Sequence, residues 1–264
     1  MDLSNTKLGF VGTGKIGSAV ARGFARCSPP PAKIYVSPRS KDKAEALRAE
    51  FPDIVVIAET NEDVVSNADV VFYGLLPGVA REVLPKMPFR SDQLIISMMA
   101  AIDYAETLTL SKDIIATENI VRTVPLPSAA KRSGPILMHP PNPRAEAILN
   151  HVGTCVACVQ ESEMKPMICL TAHISPFFEL ERVNQQFMIN NGVGAEAAKK
   201  FTASFYQSLA QAAADTSDSF AELRDEAATP GGLNEQSTKT LTAGPHFELH
   251  TDSMQAVLDR LNGK

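Results

Sequence analysis

Gly12-Thr13-Gly14-Lys15-Ile16-Gly17 joins a strand-like run to a helix-like one, and no other stretch constrains the fold as much. Residues 8–11 (Leu-Gly-Phe-Val) read as a buried strand, and 18–26 continue with helical periodicity. In that strand–turn–helix context G-x-G-x-x-G has a mechanism. Gly12 permits the sharp turn, Gly14 lets a pyrophosphate approach the backbone, and Gly17 lets helix and strand pack closely. The N–H groups at the helix start then face the phosphates. The expectation is a dinucleotide held at Gly12, Thr13, Gly14, Lys15 and Ile16. The plain alternative is a glycine-rich turn in some other α/β fold.

A chain of 264 residues has room for two ordinary domains, and 44% hydrophobic with 21% charged residues describes a soluble globular protein. No apolar stretch reaches the ~18–20 residues a membrane span needs. Met-Asp-Leu-Ser-Asn leads straight into the first strand, which leaves no room for a signal peptide and points to the cytoplasm. A formal charge of −5 argues against nucleic acid as a partner. Cys155 and Cys158 form a C-x-x-C inside a β-branched run, with no second Cys or His pair at zinc-ligand spacing. A plain strand is the expectation there, with no metal, and Cys27 and Cys169 read as packed.

Up to about residue 160 the pattern alternates. Strand-like runs at 8–11, 33–36, 54–57, 69–73, 93–97 and 119–124 are separated by helical ones at 41–50, 61–66, 79–86 and 103–109. That alternation predicts an α/β fold, a Rossmann-type doubly wound parallel sheet. Residues 136–138 and 154–159 extend it around a short helix near 143–150. From 161 onward the strands stop, and helices are expected at 162–170, 176–190, 195–214, 219–227 and 247–261. The reading is therefore a nucleotide-binding domain over 1–160 and an all-helical substrate and dimerisation domain over 161–264. The helical part carries a wide apolar complement for its length, so a homodimer or higher homo-oligomer is expected.

The second strand runs out through Ile34-Tyr35-Val36-Ser37-Pro38-Arg39-Ser40. An NAD site keeps an acid near this point for the ribose hydroxyls, and here none occurs before Asp42. Ser37, Arg39 and Ser40 instead suit a 2′-phosphate, with Lys41 or Lys43 assisting, because a guanidinium matches phosphate oxygens. NADPH is the favoured cofactor, with NADH possible. The bland reading of Arg39 is a solvated helix start.

Three further segments carry a resemblance. Val121-Arg122-Thr123-Val124-Pro125-Leu126-Pro127 follows the sixth strand, Thr171-Ala172-His173-Ile174-Ser175-Pro176 opens a long helix, and Thr229-Pro230-Gly231-Gly232-Leu233-Asn234 lies between late helices. In this order they resemble the pyrroline-5-carboxylate reductase family, whose motifs are R-x-M-P-N-T-P and S-P-G-G-T-T. Leu76-Pro77-Gly78 falls where the family has K-P-Q, and Ile96-Ser97-Met98-Met99-Ala100-Ala101 where it has S-x-x-A-G.

The resemblance implies that Leu76, Pro77, Ala100 and Pro125 border the cofactor, and that a carboxylate-bearing cyclic imine lies beside the nicotinamide. Hydride adds to the C=N carbon while a proton or hydrogen bond reaches nitrogen. It implies a substrate carboxylate on the backbone N–H groups of Gly231, Gly232 and Leu233, with Ser175 nearby, at a helix start that favours an anion. Asn234 stands where the family has the threonine nearest the ring nitrogen, and His173, the titratable residue in these segments, is either the proton donor or a packed or surface helix-start histidine. The family lysine is Leu76 here and the M-P-N asparagine is Leu126, so the imine itself is left open. Two other readings stay in play. A β-hydroxyacid-type dehydrogenase needs Lys-x-x-x-Asn, and Lys165 is followed by Cys169. A non-catalytic nucleotide-sensing homologue keeps the glycine loop alone.

Overall fold

The structure, a computed structural model, describes residues 2–111 and 114–264. The chain divides into two compact units, Met1–Met164 and Lys165–Lys264.

The first unit is built on one sheet. β1 (Lys7–Val11), β2 (Lys33–Val36), β3 (Val55–Ile57), β4 (Val70–Tyr73), β5 (Leu94–Ser97), β6 (Ile120–Pro125), β7 (Pro135–His139) and β8 (Thr154–Ala157) stand in the order β3-β2-β1-β4-β5-β6-β7-β8. The helices α1 (Lys15–Ala25), α2 (Lys41–Glu50), α3 (Asn61–Asn67), α4 (Pro77–Val83), α5 (Tyr104–Ser111) and α6 (Pro143–Leu149) alternate with them. β1 is the topological switch: the chain leaves it toward β2 and returns on its other side as β4. In such sheets the crevice at the strands' carboxyl ends is where ligands bind.

All four residues of β4 are buried, and they part by alternation. Val70 and Phe72 join one core cluster with Phe10, Val20 and Phe24, whereas Val71 and Tyr73 join another with Val64, Val65 and Ile95. Burial on both faces is why these strands read as continuous apolar runs. Phe10 and Phe72 stack across the β1–β4 pair with centroids 4.6 Å apart.

One expectation is corrected at the sheet's far side. β7 runs antiparallel to β6, with Thr123 opposite Met138, so the sheet is mostly rather than wholly parallel. The connection between them is a short helical turn, Pro127–Lys131, closed by Arg132 and Gly134 in left-handed conformation. That is too short for the crossover a parallel return requires. α6 then supplies one, and β8 pairs parallel to β7. Cys155 lies on β8, where burial pushes its thiol up to about 11.

The second unit follows α7 (Met164–Thr171) with α8 (Ile174–Asn190), α9 (Ala195–Ala214), α10 (Phe220–Ala227), α11 (Leu233–Thr242) and α12 (His246–Leu261). Pro176 sits in the first turn of α8, where its missing N–H costs nothing. The apolar periodicity singles out every one of these helices except α11. Among the described residues of this unit only Cys169, Ala198 and Thr202 are buried, while Phe178, Phe187 and Phe201 are each at least 60% exposed. No helix among the described residues is long and apolar enough to cross a membrane.

Candidate functional site

The loops at the carboxyl ends of β1, β2, β4 and β5 enclose a cleft of about 570 Å³. The three motif glycines do three different things there. Gly12 has φ +104°, and a Cβ on it would meet Gly74 O at 2.4 Å. A Cβ on Gly17 would meet Gly12 O at 2.4 Å, so the start of α1 lies hard against the turn. At Gly14 the nearest atom to such a Cβ is 4.0 Å away, which leaves the backbone open to the cleft. Gly14 is also the N-cap of α1, with no side-chain cap and no acid in the first turn. The positive end of that helix is thus left without an internal anion.

The loop is tied to β2 by hydroxyl groups. Gly12 N–H donates to Ser37 Oγ at 3.0 Å, and buried Thr13 Oγ1 donates to Ser37 O at 3.1 Å. Thr13 and Ser37 hydroxyls are also 3.1 Å apart. With the threonine proton committed to the carbonyl, the serine proton points at Thr13 Oγ1. Ser37 lines the cleft, and its hydroxyl latches the glycine loop. Arg39 and Ser40 line the same end. Arg39 is exposed and, among the described residues, has no hydrogen-bond or ion-pair partner, so its guanidinium is available to an anion.

Gly12, Thr13, Gly14, Lys15, Ile16, Leu76 and Ala100 all line the cleft, Leu76 with 75% of its surface exposed. Pro77 and Pro125 do not line it. Pro77 opens α4, where its fixed φ suits the first helical position, and Pro125 is a buried residue at the end of β6. Asn61, Gly74, Leu75, Val79, Val83, Met98 and Met99 also line the cleft without having been singled out. Gly74 had a signal: a glycine directly after β4, the strand beside β1, is where the Gly12 turn needs room.

Arg122, named from the sequence only as part of a motif, is a buried cation in the middle of β6. Its Nε donates to Ile102 O and its Nη2 to Ala100 O, both at 2.9 Å. Its Nη1 lies 3.1 Å from Glu161 Oε1.

The second unit holds the remaining sequence-named residues. His173 caps α8, with Nε2 2.7 Å from Ser253 Oγ and Nδ1 3.4 Å from His250 Nδ1, so both ring nitrogens are engaged with α12. Ser175 is exposed in the first turn of α8. Asn234 lies in the first turn of α11 and donates from Nδ2 to Ala227 O at 3.2 Å.

Of the carboxylate cradle expected on Gly231, Gly232 and Leu233, the first two N–H groups have partners within the chain. Gly231 N–H donates to Glu235 Oε2 at 2.9 Å, and Gly232 N–H to Thr229 O at 2.8 Å. Glu235 is held in turn by Lys239 at 2.8 Å, and these contacts draw its carboxyl below the usual range. A glutamate at the third position of a helix reaches back over the first turn, and here it supplies the anion that the turn attracts. Leu233, at 85% exposure, faces no described neighbour closely enough to bury it.

Residues 7–101 match the family model described as NADP oxidoreductase, coenzyme F420-dependent. Over 251 residues the chain is 26% identical to a pyrroline-5-carboxylate reductase of Escherichia coli (strain K12), covering 89% of each. A pyrroline-5-carboxylate reductase structure from Coxiella burnetii superposes with a TM-score of 0.82 at 21% identity, over 98% of both chains. The Plasmodium falciparum pyrroline carboxylate reductase with NADP bound gives 0.74 at 19%, again over 98% of both. The two structural likenesses show the fold. The sequence likeness to the Escherichia coli reductase runs through both units.

Proposed function

We propose that this chain, a member of the pyrroline-5-carboxylate reductase family, is an oxidoreductase that uses NADPH to reduce the C=N bond of an imine. The observation that carries the cofactor assignment is the cleft itself. It has an open backbone at Gly14, an acid-free helix start behind it, and at the β2 end a guanidinium with no partner among the described residues. The first two suit a pyrophosphate, and Arg39 suits a phosphate on the adenosine ribose. The Plasmodium relative carrying NADP has the same fold.

When bound, the cofactor supplies the hydride, which adds to the imine carbon as a proton goes to nitrogen. The chain's own part is to hold the phosphates on α1, to fix the loop walls, and to keep the ring end shielded by Met98 and Met99. In the helical unit, Asn234 and Ser175 are the proposed substrate contacts and His173 the proposed proton source. The ring of His173, hydrogen-bonded to Ser253, is a donor in one of its tautomers or when protonated.

Pyrroline-5-carboxylate, the substrate in the relatives' names, is the first imine to test, with proline as product. The helical unit is proposed to close as a homodimer, or a larger homo-oligomer, since its phenylalanines lie uncovered in one chain. NADPH consumption measured across a panel of cyclic imines, with and without a carboxylate, tests the reading. Tight NADPH binding with no turnover of any of them would favour a nucleotide-sensing protein instead.

A further inference from the structure

Arg122 and Glu161 lie outside the cleft, yet they control one of its walls. The strand order β2-β1-β4-β5 sets the Arg39 end and the Met98–Ala100 end of the cleft at opposite limits. Three strand spacings, about 14 Å, separate them. A dinucleotide with its ribose phosphate at Arg39 therefore has its nicotinamide beside the loop that follows β5.

That loop has few means of holding its own shape. Ile102 N–H closes a turn on Met99 O at 3.3 Å, and Met98 N–H returns to Tyr73 O at 2.8 Å. Two further carbonyls of the loop, Ala100 O and Ile102 O, each accept from Arg122 at 2.9 Å. Its third nitrogen reaches Glu161 Oε1 at 3.1 Å and Met164 Sδ at 3.2 Å. The same Glu161 oxygen accepts Tyr104 N–H at 2.9 Å, which fixes the start of α5 where the loop ends. One guanidinium–carboxylate pair, with the arginine side chain 9% exposed, thus pins the loop at three points: Ala100, Ile102 and Tyr104. A lysine at 122 keeps the charge but presents no planar fork, so it cannot serve both carbonyls and the carboxylate together.

We propose that Arg122 and Glu161 are positioning residues that set the stance of the nicotinamide through the loop 98–104. The proposal rests on the NADPH reading above. It locates the effect at the nicotinamide end, whereas Arg39 acts at the other.

The test uses the full-length native protein, Arg122→Lys and Glu161→Gln, with thermal melts confirming that each variant folds. Glu161→Gln keeps the shape and an acceptor oxygen, so it serves if the arginine variant does not fold. NADPH is titrated in while nicotinamide emission is followed, and single-turnover hydride transfer to pyrroline-5-carboxylate is then timed. The expected result is an NADPH Kd within threefold of native in both variants. The bound-state emission changes in both, and hydride transfer slows at least tenfold in Arg122→Lys and less in Glu161→Gln. Unchanged emission and unchanged transfer in both variants overturn the proposal. So does a loss of NADPH affinity in step with thermal stability, the mark of a merely structural pair. If native protein binds NADPH but leaves this imine untouched, emission alone decides. If native protein binds no NADPH, the cofactor reading fails and this one falls with it.

Discussion

The carboxylate of Glu235 accepts the N–H of Gly231 at 2.9 Å, so the turn expected to receive a substrate anion already holds one of its own. An incoming carboxylate must displace that group or lie beside it against like-charge repulsion. Replacing Glu235 with alanine should raise kcat/KM for pyrroline-5-carboxylate relative to that for the same ring without its carboxylate, by roughly tenfold. Assays of the two imines side by side measure the ratio. A ratio that Glu235→Ala leaves alone means the substrate's charge is read elsewhere.

The same contact has a pH dependence of known sign. Hydrogen bonds from Lys239 and Gly231 lower the Glu235 carboxyl in the folded protein. A lowered folded value means stabilisation that is present above the ordinary carboxylate range and lost as pH falls through the folded value. Amide exchange at Gly231, followed by NMR, should accelerate relative to the intrinsic rate as the pH falls below the ordinary carboxylate range. The ratio to the intrinsic rate should be insensitive to pH in Glu235→Gln.

Arg39 is the exposed cation of the β2 end of the cleft, and its substitution by alanine is expected to separate the two cofactors. Loss of one charge-assisted contact of ~1.5–3 kcal/mol raises the Michaelis constant for NADPH by roughly 10- to 150-fold. The constant for NADH should move little. Equal changes in both constants would remove Arg39 from the 2′-phosphate.

Ser37→Ala deletes the acceptor for Gly12 N–H and the partner of Thr13, both in buried or half-buried surroundings. Thr13 keeps its bond to the carbonyl of residue 37, but leaving Gly12 N–H unsatisfied costs about 1–3 kcal/mol. A melting temperature lower by several degrees is expected, together with weaker binding of NADPH and NADH alike. That symmetry distinguishes the latch from Arg39, and isothermal titration with each cofactor reads it directly.

Phe178, Phe187 and Phe201 have 60%, 69% and 64% of their surfaces exposed, on helices that a single chain does not cover. Sedimentation equilibrium at micromolar concentration should return a dimer or larger species. Phe187→Asp should shift the distribution toward monomer, since a desolvated carboxylate has no partner in an apolar interface. A fully active native monomer would sink the idea.

Local pattern settled much of this protein. A strand, three spaced glycines and a helix in succession admit few arrangements, because each glycine position meets a backbone oxygen or an open cleft. Runs such as Val70-Val71-Phe72-Tyr73, apolar at every position, demand burial on both faces and so a parallel sheet flanked by helices. Those are short-range facts, and sequence carries them. The antiparallel β7 was not legible, because strand direction depends on how far a connection reaches and not on the strand's own residues. Nor was the work of Ser37, Arg122 or Glu235. Ser37 and Arg122 stood in quoted motifs and Glu235 just beyond one, but whether a hydroxyl faces a ligand or a neighbouring loop is fixed by partners 25 residues off. Arg122 and Glu161 meet from different parts of the unit. Even Glu235, four residues from Gly231, takes its role from the turn that brings the N–H within reach. Sequence named the groups able to bind charge. Tertiary structure decided which of them the fold had already used, because a donor or acceptor satisfied inside the protein has little left to offer a ligand.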